Sequence, residues 1–88
     1  MSNMPAGKEP SPGAFARAVS DQVRLALTRN RMSGAQLAKQ IERSQSYMSK
    51  RLRNDASFTA NDLESICKVL GEDLLSLITA AVRAMRKP

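Results

Sequence analysis

The sequence predicts an all-α domain of five helices, and three observations support that fold class. Apolar residues recur at steps of three and four along the chain, which is the spacing of a buried helix face. Each such stretch is preceded by a Ser, Thr or Asp that can cap a helix. No stretch shows the alternation of apolar and polar residues that is typical of strands. The 88 residues suffice for one small domain and not for two.

The first two helices have recognisable starts. Helix one is predicted to begin at Ser11, with Pro12 in the first helical position, and to end near Asn30 to Arg31. Helix two begins at a capping box formed by Ser33 and Gln36 and runs for about two turns. The predicted buried faces are Phe15, Val19, Val23, Ala26 and Leu27 in helix one and Leu37, Ala38 and Ile41 in helix two.

Helix three is written S-Q-S-Y-M-S-K-R-L and begins at Ser44, its predicted N-cap. Met48 and Leu52 are four residues apart and therefore point to one side, towards the core. The other side carries Gln45, Ser46, Ser49, Lys50 and Arg53. The outer face of this helix is therefore polar and basic.

The last two helices also have clear boundaries. Helix four begins where Thr59 and Asp62 form a second capping box, and it stops at Gly71. Helix five follows Asp73 and covers about residues 73–86. The predicted buried residues are Leu63, Ile66, Cys67 and Leu70 in helix four and Leu74, Leu77, Ile78, Ala81, Val82 and Met85 in helix five.

Composition limits the domain organisation, the location and the chemistry of the chain. Residues 1–10, rich in Pro, Gly and polar groups, are predicted to be a flexible tail, and 11–88 the domain. No apolar run could span a membrane and no signal peptide is evident, so a cytoplasmic location is expected. With one cysteine, no histidine and no phosphate-binding loop, the chain is predicted to be no enzyme. It is predicted to hold no metal, cofactor or small-molecule ligand.

Positive charge is concentrated in one part of the chain. Residues 29–53 hold seven basic residues and a single acidic one, Glu42. This segment therefore carries a charge of +6, equal to the net charge of the whole chain. Residues 54–73 hold five acidic residues and one basic residue. This asymmetry favours a basic binding face for an anionic partner such as nucleic acid over a generally basic surface.

Helices two and three are joined by about three residues, which is the layout of a helix-turn-helix over about residues 33–53. In that layout the second helix enters the major groove while the first crosses the backbone. Two adjacent short helices are common, so the spacing alone is a moderate signal.

Residues 32–77 resemble the lambda-repressor and Cro-like (Xre) helix-turn-helix family. The resemblance lies in Leu37-Ala38, Ile41 and S-Q-S-Y-M-S-K-R-L, followed without a gap by F-T-A-N-D-L-E-S-I-C-K-V-L-G-E-D-L. The wording of helix three is similar to versions from actinobacteria and their phages. The resemblance implies a compact five-helix domain, major-groove binding and usually transcriptional repression of the Cro or immunity type. The protein would then work in a bacterial cell or a phage-infected host.

The resemblance also implies contacts for individual residues. The positions expected to face bases are Gln45, Ser46, Ser49 and Lys50, and those expected to approach phosphates are Ser33, Gln36 and Asn54. From their charge and position, Arg43 and Arg53 are predicted to contact phosphates as well. Tyr47 either bonds a phosphate or covers a neighbouring helix. For Lys50, Arg51 and Arg53, the alternative to a DNA contact is that each is a solvated surface charge. The case for a DNA contact is weakest for Arg51.

Three positions depart from the family pattern. Members commonly have Gly where this chain has Glu42, and a positive φ there costs a non-glycine residue roughly 1 kcal/mol. The next position is usually a small aliphatic residue of the core, but here it is Arg43, which must reach outwards. Gly34 replaces the Gln that braces helix three in many repressors.

Helix five is predicted to have a second role. Its apolar stripe continues beyond the need of a compact core, so Ile78, Val82 and Met85 are candidates for homodimerisation on a palindromic operator. The alternative is that they cover helix one. Two other functions stay open: an antitoxin or other protein-interaction module that uses this helix, and a non-specific architectural DNA binder. RNA binding is disfavoured because only 3% of residues are aromatic.

Overall fold

The computed structural model describes residues 10–87 and contains five α-helices in that range. They are α1 (Ala14–Arg29), α2 (Gly34–Gln40), α3 (Gln45–Leu52), α4 (Ala60–Leu70) and α5 (Leu74–Met85). No strand occurs among the described residues. The predicted all-α, five-helix fold class is therefore confirmed. The predicted flexible tail, 1–10, lies outside the described residues except for Pro10.

The core is built by residues of all five helices around α1. Val23 and Ala26 of α1, Leu37 of α2 and Ile66 of α4 are fully buried. The other members are Ala18, Val19, Leu27, Ala38, Met48, Cys67, Leu70, Leu77 and Ala81. The α1 helix packs mainly against α5, while α2 packs mainly against α3. Most of these residues lie on the predicted buried faces, because helical periodicity reports which side of each helix is apolar.

The start of α1 was predicted wrongly. The helix begins at Ala14 with Gly13 as its N-cap and without a side-chain cap, so Ser11 and Pro12 lie outside it. Phe15, predicted to be buried, is 41% exposed. The physical reason is that this end of α1 faces the last turn of α5, around Ala84 and Met85, across an open hollow and not across a packed core. Little core is available there to hold an earlier turn.

Each of the first four helices ends at a residue in the left-handed conformation. Arg31, Glu42, Asn54 and Gly71 have φ between 52° and 66°. In each case the next backbone N–H donates to the carbonyl five residues before it, as Arg43 does to Ala38 at 2.8 Å. Only the fourth helix uses the glycine that makes this conformation free of strain. Glu42 thus adopts a positive φ although it is not a glycine, and the domain tolerates the strain.

Replacing Glu42 by glycine is expected to stabilise the domain by up to about 1 kcal/mol. The relief of strain at a positive φ exceeds the larger entropy that glycine loses on folding. Urea unfolding followed by circular dichroism would measure the change. Glu42→Ala is the matched control, because it also removes the carboxylate but keeps a Cβ atom, and therefore the backbone strain, at the positive φ. An equal gain in both variants would show that the side chain and not the backbone is responsible.

Candidate nucleic-acid interface

The turn between α2 and α3 is held by hydrogen bonds from its own residues. At the start of α2, the Gln36 backbone N–H donates to Ser33 Oγ at 3.1 Å, and the Ser33 N–H donates to Gln36 Oε1 at 2.8 Å. At the start of α3, the Tyr47 N–H donates to Ser44 Oγ at 3.0 Å. Both predicted N-caps are therefore confirmed. Ser33 and Gln36 remain exposed at the N-terminal end of α2, where the helix dipole favours an anion.

The inner face of α3 fits closely against α2. Met48 is 1% exposed and Leu52 is half-buried beside it. A Cβ atom placed on Gly34 would come within 2.8 Å of Leu52 Cδ1. Glycine at this position therefore lets α2 approach α3 more closely than a side chain would allow. This contact explains why the chain has Gly34 where many repressors have glutamine, since Leu52 occupies the space that a larger side chain would need.

The outer face of α3 brings most of the predicted base-contacting residues together. Gln45, Ser46 and Ser49 are exposed and line one open hollow of about 570 Å³, whose floor includes Gly34 and Ala35. Lys50 is half-buried on the same helix and does not line this hollow. The hollow is therefore lined both by polar side chains of α3 and by apolar atoms, including those of Met48 and Leu52.

The exposed C-terminal end of this surface is organised by Arg53. Its guanidinium donates to Ser49 Oγ at 2.9 Å and forms an ion pair with Asp55. Asn54, next along the chain, is half-buried with its positive φ. Arg53 thus lies beside Ser49 on the predicted base-contacting face, and Asn54 follows it in the chain.

Four side chains form a polar cluster between α3 and α4. The Tyr47 hydroxyl donates to Asp62 Oδ2 at 2.6 Å, and Arg43 Nε donates to Asp62 Oδ1 at 3.2 Å. The guanidinium groups of Arg43 and Arg51 lie 4.5 and 3.5 Å from the centroid of the Tyr47 ring, within cation–π range. Of the two alternatives for Tyr47, the structure therefore places it against a neighbouring helix. A phosphate contact by its hydroxyl would require Asp62 to release it.

Two members of this cluster were not recognised from the sequence. Arg51 is 6% exposed and is not a solvated charge. Its position three residues after Met48, on the buried side of α3, was the signal for that. Asp62 was predicted as a helix cap, which is confirmed, but it is also 2% exposed and anchors α3. No local pattern indicates this second role, because Tyr47 belongs to a different helix.

Burial and hydrogen bonding shift the pKa values of Asp62 and Tyr47. Burial alone raises the pKa of Asp62, but hydrogen bonds from Tyr47 and Thr59 and the charge of Arg43 outweigh it, so the pKa lies below its ordinary value. The pKa of Tyr47 is raised, first by burial and then by its hydrogen bond to Asp62. Asp62 is therefore ionised and Tyr47 protonated near neutral pH.

Asp62 is expected to make the stability of the domain depend on acid. Because its pKa is lower in the folded protein than in the unfolded chain, the ionised carboxylate stabilises the fold above about pH 4. That contribution is lost as the pH falls through the folded pKa. The difference in the free energy of unfolding between wild type and Asp62→Asn should therefore shrink below about pH 4. Urea unfolding at a series of pH values tests this, and a difference independent of pH would contradict it.

The predicted dimerisation residues differ in exposure. Ile78 packs against the core of its own chain and Val82 is half-buried, whereas Met85 is 45% exposed. The sequence reading missed Leu75, which is 72% exposed on α5. Exposed apolar side chains are thus present at both ends of α5, Leu75 near its start and Met85 at its last residue.

Residues 10–87 contain no group of three or more His, Cys, Asp or Glu side chains that could hold a metal ion. None of the helices in this range is long and apolar enough to cross a membrane.

Comparisons with solved structures identify the fold. No protein-family model and no curated protein sequence matches the chain. The clp gene regulator ClgR from Corynebacterium glutamicum superposes with a TM-score of 0.78 at 19% identity, over 88% of this chain and 100% of that one. The wild-type restriction-modification controller protein C.Esp1396I superposes with a TM-score of 0.77 at 21% identity, over 88% and 99%.

A third structure extends the match to nearly the whole chain. The hypothetical transcription factor NHTF from Neisseria superposes with a TM-score of 0.66 at 22% identity, over 97% of this chain and 98% of that one. The chain therefore has the five-helix, lambda-repressor-like fold, and the fold that the resemblance implied is confirmed.

Proposed function

We propose that this protein is a sequence-specific regulator of transcription that binds double-stranded DNA, with α3 in the major groove. The observation that carries the proposal is the outer face of α3, where Gln45, Ser46 and Ser49 line one exposed hollow beside Arg53. A helix about 10–12 Å across fits a major groove about 12 Å wide. The inner face of the same helix is fixed in the core by Met48, so the outer face is presented rigidly.

The side chains on this face suit the chemistry of base edges. Gln45 can bond adenine with both ends of its amide, while Ser46 and Ser49 can donate or accept a hydrogen bond. Lys50 reaches guanine acceptors or a phosphate. The flanks carry the residues proposed for phosphate contacts: Ser33, Gln36, Arg43, Tyr47, Arg53 and Asn54. Among these, Arg43 has N–H donors beyond those it uses on Asp62, whereas the single hydroxyl proton of Tyr47 is already donated to Asp62, so a phosphate contact by Tyr47 competes with that bond.

The proposed regulator is a repressor of the phage or bacterial Cro and immunity type, which occupies an operator and blocks polymerase. The three structural neighbours are described as a gene regulator, a controller protein and a hypothetical transcription factor, and this likeness of fold supports a regulatory role. The concentration of positive charge in residues 29–53 supports an anionic partner.

Binding is proposed to occur as a homodimer through α5. The exposed leucine at Leu75 and the exposed Met85 support an apolar contact that one copy alone leaves open. Ile78 and Val82 would lie behind this surface. A twofold dimer places two α3 helices about 34 Å apart, one turn of DNA. Analytical ultracentrifugation of wild type and Leu75→Glu tests this, and a wild-type monomer that binds one half-site would contradict it.

Selection from random double-stranded DNA, followed by salt-dependent binding to the winning sequence, tests the function itself. The expected result is a palindromic sequence bound at least a thousandfold more tightly than random DNA, within the range of specific regulators. Affinity should fall steeply with salt, because each phosphate contact releases counterions. Equal affinities for the selected sequence and for random DNA would favour a non-specific architectural protein. No DNA binding, together with capture of a protein partner by α5, would favour an antitoxin-like module.

A further inference from the structure

Asp62 joins three segments that flank the base-reading face of α3. Its side chain is 1% exposed although it carries a charge. Oδ2 accepts from the Tyr47 hydroxyl at 2.6 Å and from the Thr59 backbone N–H at 3.1 Å. Oδ1 accepts from Arg43 Nε at 3.2 Å. One carboxylate thus connects α3, the turn that precedes it and the start of α4.

The Tyr47 side chain is held at two places. Its hydroxyl is fixed by Asp62, and both Arg43 and Arg51 lie over its ring. Tyr47 follows Gln45 and Ser46 directly in the first turn of α3. Because the backbone of a single helical turn moves as a unit, a shift of Tyr47 would shift both proposed base-contacting residues with it.

The other end of α3 is attached independently. Ser20 Oγ donates to the carbonyl of Arg51 at 3.0 Å, and Arg24 donates to the carbonyl of Leu52. Both donors belong to α1, and neither depends on Asp62. Without Asp62, α3 would therefore keep its C-terminal attachment to α1 and lose a polar attachment near its N-terminal end. The consequence is a change of angle, with the largest displacement at Gln45.

We propose that Asp62 is a positioning residue of the DNA-binding surface, acting through Tyr47 and Arg43 to set the angle at which the base-reading end of α3 is presented. The inference rests on the proposed function. Asp62 itself is buried and makes no contact with DNA in this proposal. Hydrogen bonds to bases weaken steeply with distance and misalignment, so a small rotation of α3 reduces discrimination between bases. Attraction to phosphates depends far less on angle.

Positioning and simple electrostatics predict opposite effects of removing the charge of Asp62. If Asp62 acts only by repelling DNA, Asp62→Asn strengthens binding to every sequence. If it positions α3, the same variant weakens binding to the selected operator and leaves random DNA bound as tightly or more tightly. Glu64→Gln is the matched control, because Glu64 is an exposed acid on the same helix and the change of charge is identical.

The experiment measures dissociation constants of these proteins for the selected operator and for a random duplex of the same length. The expected result is a roughly tenfold loss of operator affinity in Asp62→Asn, comparable to the loss of one good base contact. Glu64→Gln should keep the wild-type ratio of operator to random affinity. A folded Asp62→Asn protein with the wild-type ratio would overturn the inference.

A double-mutant cycle with Tyr47→Phe identifies the route of the effect. This variant removes only the hydroxyl, so Asp62 keeps Arg43 and Thr59, and it also serves if Asp62→Asn does not fold. Tyr47→Phe alone should lower the ratio of operator to random affinity. The ratio of the double variant should be little lower than that of whichever single variant has the lower ratio. Losses that multiply would show that the two residues act separately. A wild type without operator preference would overturn the proposed function and the inference together, whereas a preference that survives in both variants overturns the inference alone.

Discussion

Replacing Leu37 by alanine is expected to lower the free energy of unfolding by about 2–5 kcal/mol. Leu37 is fully buried and, with Ala38, is one of only two buried residues of α2. The seven residues of α2 are too few to form a stable helix alone, so its place in the domain depends on this side chain. A loss of this size is a large part of the roughly 5–15 kcal/mol that stabilises a typical domain.

Urea unfolding followed by circular dichroism measures this effect, and the chain offers a control. Leu75 is the same residue type but is 72% exposed, so Leu75→Ala should change stability by no more than about 0.5 kcal/mol. The comparison is made at low protein concentration, where any contact between copies is absent. Similar losses in both variants would mean that α2 is not held by its buried leucine. Leu37→Ala should also weaken DNA binding, because α3 packs on α2.

Replacing Gln45 by alanine is expected to reduce discrimination at one base pair of the operator by about 1–3 kcal/mol. Gln45 is exposed in the first turn of α3 and lines the hollow beside Ser46 and Ser49. Its amide can pair with a base edge, whereas alanine removes both the donor and the acceptor. Affinity for random DNA should change little, since no charge is lost.

Binding to the operator and to each of its single-base variants measures this discrimination. Gln40→Ala is the control, because Gln40 is an exposed glutamine at the end of α2, away from that hollow. The expected pattern is a relaxed preference at one position for Gln45→Ala and an unchanged profile for Gln40→Ala. A profile of Gln45→Ala that matches wild type at every position would remove Gln45 from the base-contacting set.

Local rules account for the parts of the fold that depend on neighbours in sequence. The capping boxes at Ser33 and Thr59 and the stop at Gly71 follow from such rules, and all three are confirmed. Periodicity similarly identified Val23 and Leu37 as core. These predictions succeed because the residues that decide each feature lie within four positions of one another.

Contacts between helices were the part that the sequence could not supply. The burial of Asp62 depends on a hydroxyl 15 residues away, and Ser20 is buried against a carbonyl 31 residues away. Ser20 lies three residues before Val23 and Asp62 four before Ile66, so spacing places both on buried faces, but it does not identify the distant group that each one bonds. The error at Ser11 has a similar origin, because a favourable cap forms only where tertiary packing supports the turn behind it. The contacts of individual residues with DNA remain predictions, since they depend on a second molecule.

The position of Tyr47 gives the protein a natural optical probe. Tyr47 is the only tyrosine of the chain and there is no tryptophan, so ultraviolet emission excited above the phenylalanine band comes from this one ring. The ring lies where α3 meets α4, with its hydroxyl on a carboxylate and two guanidinium groups beside it. Its emission therefore reports on the attachment of α3. Any rearrangement of that attachment on binding DNA can be followed in the unlabelled wild-type protein.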